Sequence, residues 1–204
     1  MLALGGCTTV SRSTSEAIGL LFKGRPLIEP TPEQVAAVRY PQILLRAPDI
    51  DGVVVLGYID EGRQAWFAGR NAVFYLREDG QIVGSAGLGR TVSIRIQGEN
   101  PFPHLASLQQ AVTVQRRYDW MPGYRYDVPV TGNLRRVGSE SIEILGHPLQ
   151  LTRFEETLKG PGLSETNIYW ADPATGFVWK SRQYLAPGYP VEIVQLKPYR
   201  PAKS

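Results

Sequence analysis

The sequence predicts a mainly β protein: an antiparallel curved sheet or half-barrel with one or two short N-terminal helices. Three observations point there. Runs rich in β-branched and aromatic residues recur at a spacing of roughly 8–12 residues, which suits a meander and not βαβ units. Turn formers separate them, with 21 Gly and 16 Pro among 204 residues. Residues 90–97 alternate plainly. Val92, Ile94 and Ile96 point one way and Ser93, Arg95 and Gln97 the other, the pattern of a strand with one wet face.

The elements follow in order. Residues 8–15 form a polar Ser/Thr-rich tether. Ser13 and Glu16 have capping-box spacing, and the apolar residues 17–22 read as a helix ending near Gly24. Thr31-Pro32-Glu33-Gln34 is a stronger helix start, with Thr31 as N-cap, Pro32 at N1 and Gln34 reaching back. Val35 and Val38 should face inward, and Pro41 should end that helix near Tyr40. Strands are expected at 42–47, 52–59, 64–68, 72–77, 81–85 and 90–97, with Asp79-Gly80 as a hairpin signal. Residues 105–111 read as a short helix. Further strands are expected at 113–118, 133–137, 141–145, 149–158, 165–171, 176–185 and 191–196. Nothing divides the chain, so residues 1–15 are read as signal remnant, lipobox and tether, and 16–204 as one β-rich domain.

Composition limits the function. Hydrophobic residues make up 43% and charged residues 20%, the balance of a folded globular chain and not of a disordered one. No run approaches the roughly 20 apolar residues of a spanning helix. The net charge of +3 is too mild to imply nucleic acid. One cysteine and two histidines give no intramolecular disulfide and little basis for a metal site. No cofactor is implied.

No catalytic residues emerge. Asp49 with Asp51, and Glu155 with Glu156, are the nearest approaches to paired carboxylates. The first pair sits in a turn, the second points to opposite strand faces, and both read as solvated surface. His104 and His147 read as exposed turn residues. Residues 84–89 are glycine-rich but lack the Gly-Lys-Ser/Thr ending of a phosphate loop, so they read as a flexible turn. Trp170 and Trp179 flank a turn and suit a cross-strand pair in the core. The aromatic stretch around Tyr118 admits two readings. It could be a packed corner. Alternatively Trp120, Tyr124 and Tyr126 could offer sugar-stacking rings, with Arg116, Arg117 and Arg125 contacting an anionic ligand or a partner.

Leu4-Gly5-Gly6-Cys7 resembles the lipobox of a bacterial lipoprotein, with Cys7 as the lipid attachment point. Only six residues precede Cys7, so the remainder of a signal peptide is expected upstream of Met1. Further stretches resemble the YjbF/GfcB family of outer-membrane lipoproteins encoded with group 4 capsule and exopolysaccharide secretion systems. They are Phe22-Lys-Gly-Arg-Pro26, Thr31-Pro-Glu-Gln-Val35, Tyr40-Pro-Gln-Ile-Leu-Leu-Arg46, the expected strand over Val53–Tyr58 leading to Gln64-Ala-Trp66, Asp119-Trp-Met-Pro-Gly-Tyr124 and Trp170-Ala-Asp-Pro-Ala-Thr-Gly-Phe-Val-Trp-Lys-Ser181. Residues 169–181 are also similar to a hairpin of LolA/LolB-like half-barrels, in which a sheet curls around a helix.

The family resemblance implies a non-enzymatic lipoprotein at the periplasmic face of the bacterial outer membrane, held by N-terminal acyl chains. Thr8 after the cysteine fits that destination by the same resemblance. The implied role is to assist capsule or exopolysaccharide export. The implied partners are an outer-membrane β-barrel, periplasmic proteins of the secretion system, and an anionic polysaccharide. The alternative is a periplasmic carrier or chaperone that holds lipid or an acyl chain in the concave face of its sheet. A large apolar hollow would favour the carrier; a filled core with an exposed aromatic–basic patch would favour the export partner.

Overall fold

Twelve antiparallel strands follow one another around a closed up-and-down barrel in the computed structural model, which describes residues 27–87 and 90–200. The strands are β1 (Gln42–Ala47), β2 (Ile50–Asp60), β3 (Arg63–Ala68), β4 (Ala72–Arg77), β5 (Ile82–Gly87) and β6 (Thr91–Gln97). They continue as β7 (Val112–Met121), β8 (Arg125–Ile144), β9 (His147–Gly160), β10 (Leu163–Ala171), β11 (Val178–Ala186) and β12 (Tyr189–Lys197). The expected curved antiparallel sheet is there, and its curvature goes on to closure. β1 pairs with β2 on one side and β12 on the other, with Leu44 opposite both Val53 and Val194.

Helix α1 (Pro32–Ala37) starts where its cap predicts. Thr31 Oγ1 accepts the Gln34 N–H at 3.3 Å, and Gln34 Oε1 accepts the Thr31 N–H at 2.9 Å. It stops earlier than expected, because Val38 is already extended; Val38 is therefore exposed, and only Val35 packs inward. The expected helix at 105–111 is a 3-10 helix at Phe102–Ser107 instead, opened by the Asn100 side chain accepting the Phe102 N–H at 3.2 Å. The strands expected at 133–137 and 141–145 are one strand, β8, in which Gly138 marks a register shift and not a turn. Of the glycine-rich stretch 84–89, residues 84–87 belong to β5 and are not a turn. Cys7, the tether and the expected helix at 17–22 lie outside the described residues.

Twelve strands enclose more space than one layer of side chains fills. Two features occupy it. The start of β5 turns inward and reaches β11 across the barrel: Gln183 Oε1 accepts the Ile82 N–H at 3.1 Å, and Gln183 Nε2 donates to the Gly80 carbonyl at 2.8 Å. Gly80 permits that approach, since it has φ +80° and a Cβ there would overlap Val178. The 3-10 helix then inserts Phe102 and Leu105, and the Phe102 ring meets Tyr169 edge-on at 5.0 Å.

The interior is consequently packed. One apolar cluster gathers Trp66, Leu76, Tyr118, Leu158, Val191 and their neighbours. A second gathers Phe102, Leu105, Val114, Leu134, Phe154 and Tyr169. Each fully buried large side chain stabilises the fold by about 1.5–3 kcal/mol. On β6 to β9 many outward positions are charged: Arg95, Arg117, Asp119, Arg135 and Glu155 alternate with those core residues. No described helix is long and apolar enough to cross a membrane.

Trp170 and Trp179 do not sit in the lumen. A register shift places Trp170 opposite Lys180. Trp170 packs with Leu151 and Ile168 on the outer wall, its Nε1 donating to Glu140 at 2.9 Å, and Trp179 joins the margin of that cluster.

Candidate functional site

Strand parity decides what the β7 residues can touch. Arg116, Tyr118 and Trp120 are even-numbered and point into the barrel, where they are 3%, 1% and 8% exposed. Arg117 and Asp119 point out. Tyr124, Arg125 and Tyr126 lie at the β7–β8 hairpin, where Tyr124 is 75% and Tyr126 61% exposed. The six predicted contact residues therefore divide between lumen and outer surface and do not form one patch.

The lumen residues belong to a buried polar layer. Arg116 grips Glu156 with two bonds, Nε to Oε1 at 2.7 Å and Nη2 to Oε2 at 3.0 Å. Arg116 Nη2 also donates to Gln81 Oε1 at 2.7 Å. Glu156 Oε2 further accepts the Tyr169 hydroxyl at 3.0 Å and Asn167 Nδ2 at 3.1 Å. Glu156 is thus fully buried and not the solvated surface residue the sequence suggested. Its neighbour Glu155 faces out, where Arg135 and Arg153 engage it. A signal for the burial was present: Arg116 shares the parity of Val114, Tyr118 and Trp120, as Glu156 shares that of Phe154 and Leu158.

Charge is held firmly in this layer. Burial opposes the charge on Arg116, but the adjacent Glu156 carboxylate more than compensates, and the guanidinium sits above its ordinary value. Burial pushes the Tyr118 and Tyr169 phenols up, and Glu156 adds to the effect.

The inward turn of β5 leaves an opening in the wall. β5 and β6 share only the register pairs Gly84 with Ser93 and Ser85 with Val92, whereas β6 and β7 pair along the whole of β6. A cleft of about 740 Å³ lies there. Arg63, Arg77 and Arg95 line it, and Gln81 and Arg116 reach it from the buried layer. The outward residues of the predicted region act on this cleft. Asp119 holds Arg95 at 2.6 Å, Asp127 lies 3.6 Å from the same guanidinium, and Arg117 holds Asp127 at 3.3 Å. The Arg95 bond, aided by the Asp127 N–H, keeps the Asp119 carboxyl below its ordinary value.

A second groove of about 710 Å³ runs over the outer surface beside β1, β2 and β12. Arg39, Tyr40, Tyr58, Lys197, Tyr199 and Arg200 line it. Sequence reading missed this aromatic–basic surface, because its members are brought together only by the β1–β12 closure. His104 and His147 are exposed, and no convergent group of three or more metal-ligating side chains occurs among the described residues. Asp49 accepts the Tyr189 hydroxyl, while Asp51 lies 3.4 Å from Arg46, so the two carboxylates serve separate contacts.

A family model described as group 4 capsule polysaccharide lipoprotein GfcB, YjbF, matches residues 15–196. The chain belongs to the YjbF/GfcB family. It is 26% identical over 203 residues to the Escherichia coli (strain K12) protein described as uncharacterized lipoprotein GfcB, covering 97% of this chain and 94% of that one. Its fold is similar to the crystal structure of the hypothetical lipoprotein YmcC from Escherichia coli (K12), with a TM-score of 0.74 at 22% identity, over 98% of this chain and 100% of the other. The YjbF/GfcB match begins within the tether and runs almost to the end of β12, so it takes in the buried polar layer, the cleft and most of the groove.

Proposed function

We propose that this YjbF/GfcB protein is a periplasm-facing lipoprotein of the outer membrane that assists capsule or exopolysaccharide export by binding, without catalysis. The family match across residues 15–196 carries the reading. Cys7 is the acylation site. One acyl chain alone gives marginal membrane binding, and additional chains on the same residue make the anchor firm without a spanning helix.

Binding has two surfaces available. The aromatic–basic groove by β1 and β12 suits a protein partner of the secretion system, an outer-membrane β-barrel or a periplasmic component, because Tyr and Arg are the residues that anchor such interfaces. The polar cleft by β5 suits polysaccharide. The buried carboxylate of Glu156 favours a structural over an acid–base role, since Arg116, Tyr169 and Asn167 saturate it. A lipid carrier would need an apolar hollow. Here Trp66, Tyr118, Phe102, Phe154 and Tyr169 occupy the lumen.

The experiment is deletion of the gene in its host, with polysaccharide quantified at the cell surface and in the periplasm. The expected result is less polymer at the surface and more behind the outer membrane, restored by wild type and not by Cys7→Ala. Unchanged surface polymer in the deletion strain contradicts the reading.

A further inference from the structure

We propose that the cleft between β5 and β6 is a binding site for a short stretch of acidic saccharide, with a sugar carboxylate on Arg63 and Arg77 and hydroxyls on Gln81 and Asn100. The idea deepens the export role above and rests on it for its biological source, but its chemistry comes from the cleft.

The cleft follows from strand pairing. Because the start of β5 parts from β6 and meets Gln183 while Ile82 stays paired with Leu76 of β4, the β5-facing edge of residues 94–97 has no strand partner among the described residues. Main-chain polar groups along such an edge want partners. At the buried end, Gln81 is 1% exposed, and its Oε1 is taken by Arg116. Its Nε2 makes no well-formed hydrogen bond among the described residues and has only a weak interaction with the Tyr169 hydroxyl. A buried donor without a well-placed acceptor is costly, so a ligand oxygen reaching it is favoured.

The rim supplies the charge selection. Four guanidinium groups line the cleft, those of Arg63, Arg77, Arg95 and Arg116, against the two carboxylates of Asp60 and Glu61. Arg116 and Arg95 are committed to Glu156 and Asp119. Arg77 and Arg63 are not. Arg77 Nε lies 3.4 Å from Asp79, and neither terminal nitrogen of Arg77 donates a hydrogen bond among the described residues. Arg63 lies 3.8 Å from Asp60 and rests over the Tyr75 ring at 4.7 Å, a stacked and oriented guanidinium. Their side chains are 56% and 49% exposed. A planar fork of this kind matches a carboxylate with two parallel bonds. Asn100 donates to Asp79 at 2.7 Å, which keeps an amide at the cleft edge, and Asp60 and Glu61 offer acceptors for hydroxyl protons. A sugar hydroxyl both donates and accepts, so this mixed lining suits saccharide better than a simple anion. The volume of about 740 Å³ lies within the range of roughly 300–1,000 Å³ for ligand clefts.

Calorimetric titration of the full chain carrying Cys7→Ser tests the site, with tetragalacturonate as the acidic probe and maltotetraose as the neutral one, at physiological ionic strength. The expected result is that tetragalacturonate binds at least about tenfold more tightly than maltotetraose and that R63A/R77A loses about tenfold or more. R135A/R136A removes the same charge from exposed positions of β8 that do not line the cleft and should change affinity by less than about twofold. Equal losses in the two double variants would mean diffuse attraction to a basic protein and overturn the site. So would equal affinity for the two probes, or no tetragalacturonate binding. The assay needs neither anchor nor export machinery. Absent binding with a surface-polysaccharide defect in the deletion strain overturns the cleft alone; binding with normal export overturns the export role alone.

Discussion

Arg116 Nε and Glu156 Oε1 stand 2.7 Å apart inside the barrel, with side chains 2% and 0% exposed, between two apolar clusters. Two ions removed from water are tolerated only when each satisfies the other. Either Arg116→Leu or Glu156→Leu alone is expected to cost about 3–5 kcal/mol, because it strands the remaining charge. The double variant should cost much less than the sum. Urea unfolding of the three variants measures this, and additive losses would refute the coupling.

Gly132 faces the same carboxylate from β8. A Cβ at this position would overlap Glu156 Oε1, which Arg116 prevents from moving aside. Gly132→Ala should destabilise by about 1–3 kcal/mol, the usual cost of overpacking. Gly138 lies in the same strand with nothing near its Cβ position and no left-handed φ, so Gly138→Ala should be neutral or slightly stabilising. Thermal melts of the two variants provide the comparison; equal effects would count against a fixed Glu156.

The strands were largely legible because their information is local. Alternation and Asp79-Gly80 place β4 and β5 to within a residue or two, and Thr31 with Gln34 places the start of α1. Closure was not legible. The β1–β12 pairing joins residues about the length of the barrel domain apart, and no local pattern encodes it. The same limit hid the site. Glu156 beside Glu155 looks like a solvated charge run until its partner, forty positions away, is known. The sequence pattern sets residues 138–140 between two strands, yet continuous pairing with β9 carries β8 through them. The aromatic stretch at β7 admits both a packed corner and a contact surface because its residues serve two faces; Arg116 and Trp120 turn inward while Arg117 turns outward.

Asp172 gives a prediction at acid pH. Its Oδ1 accepts the Thr175 N–H at 2.8 Å, the Thr175 hydroxyl at 2.9 Å and the Ala174 N–H at 3.0 Å, closing the β10–β11 turn. The Thr175 N–H foremost holds the carboxyl below its ordinary value. A lowered value in the folded chain means stability present above the unfolded-chain value and lost as pH falls through the folded one. Asp172→Ala should therefore cost about 1 kcal/mol near neutrality, the size of a lost cap, and progressively less in acid. A stability difference that persists unchanged into strong acid would contradict this role.

At alkaline pH the prediction concerns Tyr118 and Tyr169. Burial raises both phenols, so their neutral forms belong to the folded state. That contribution is complete below the unfolded tyrosine value and is lost as pH rises through the folded one. Phenolate absorbance from these two residues should appear together with the loss of tertiary structure, not before it. Full phenolate absorbance while near-ultraviolet dichroism remains native would show that the polar layer is open to solvent.

Membrane fractionation with intact-mass measurement of the protein in its host tests acylation at the outer membrane. Wild type should sediment with the outer membrane and carry acyl mass on Cys7, and Cys7→Ala should lose both. A wild-type protein found unacylated and free of the outer membrane would refute the anchored role.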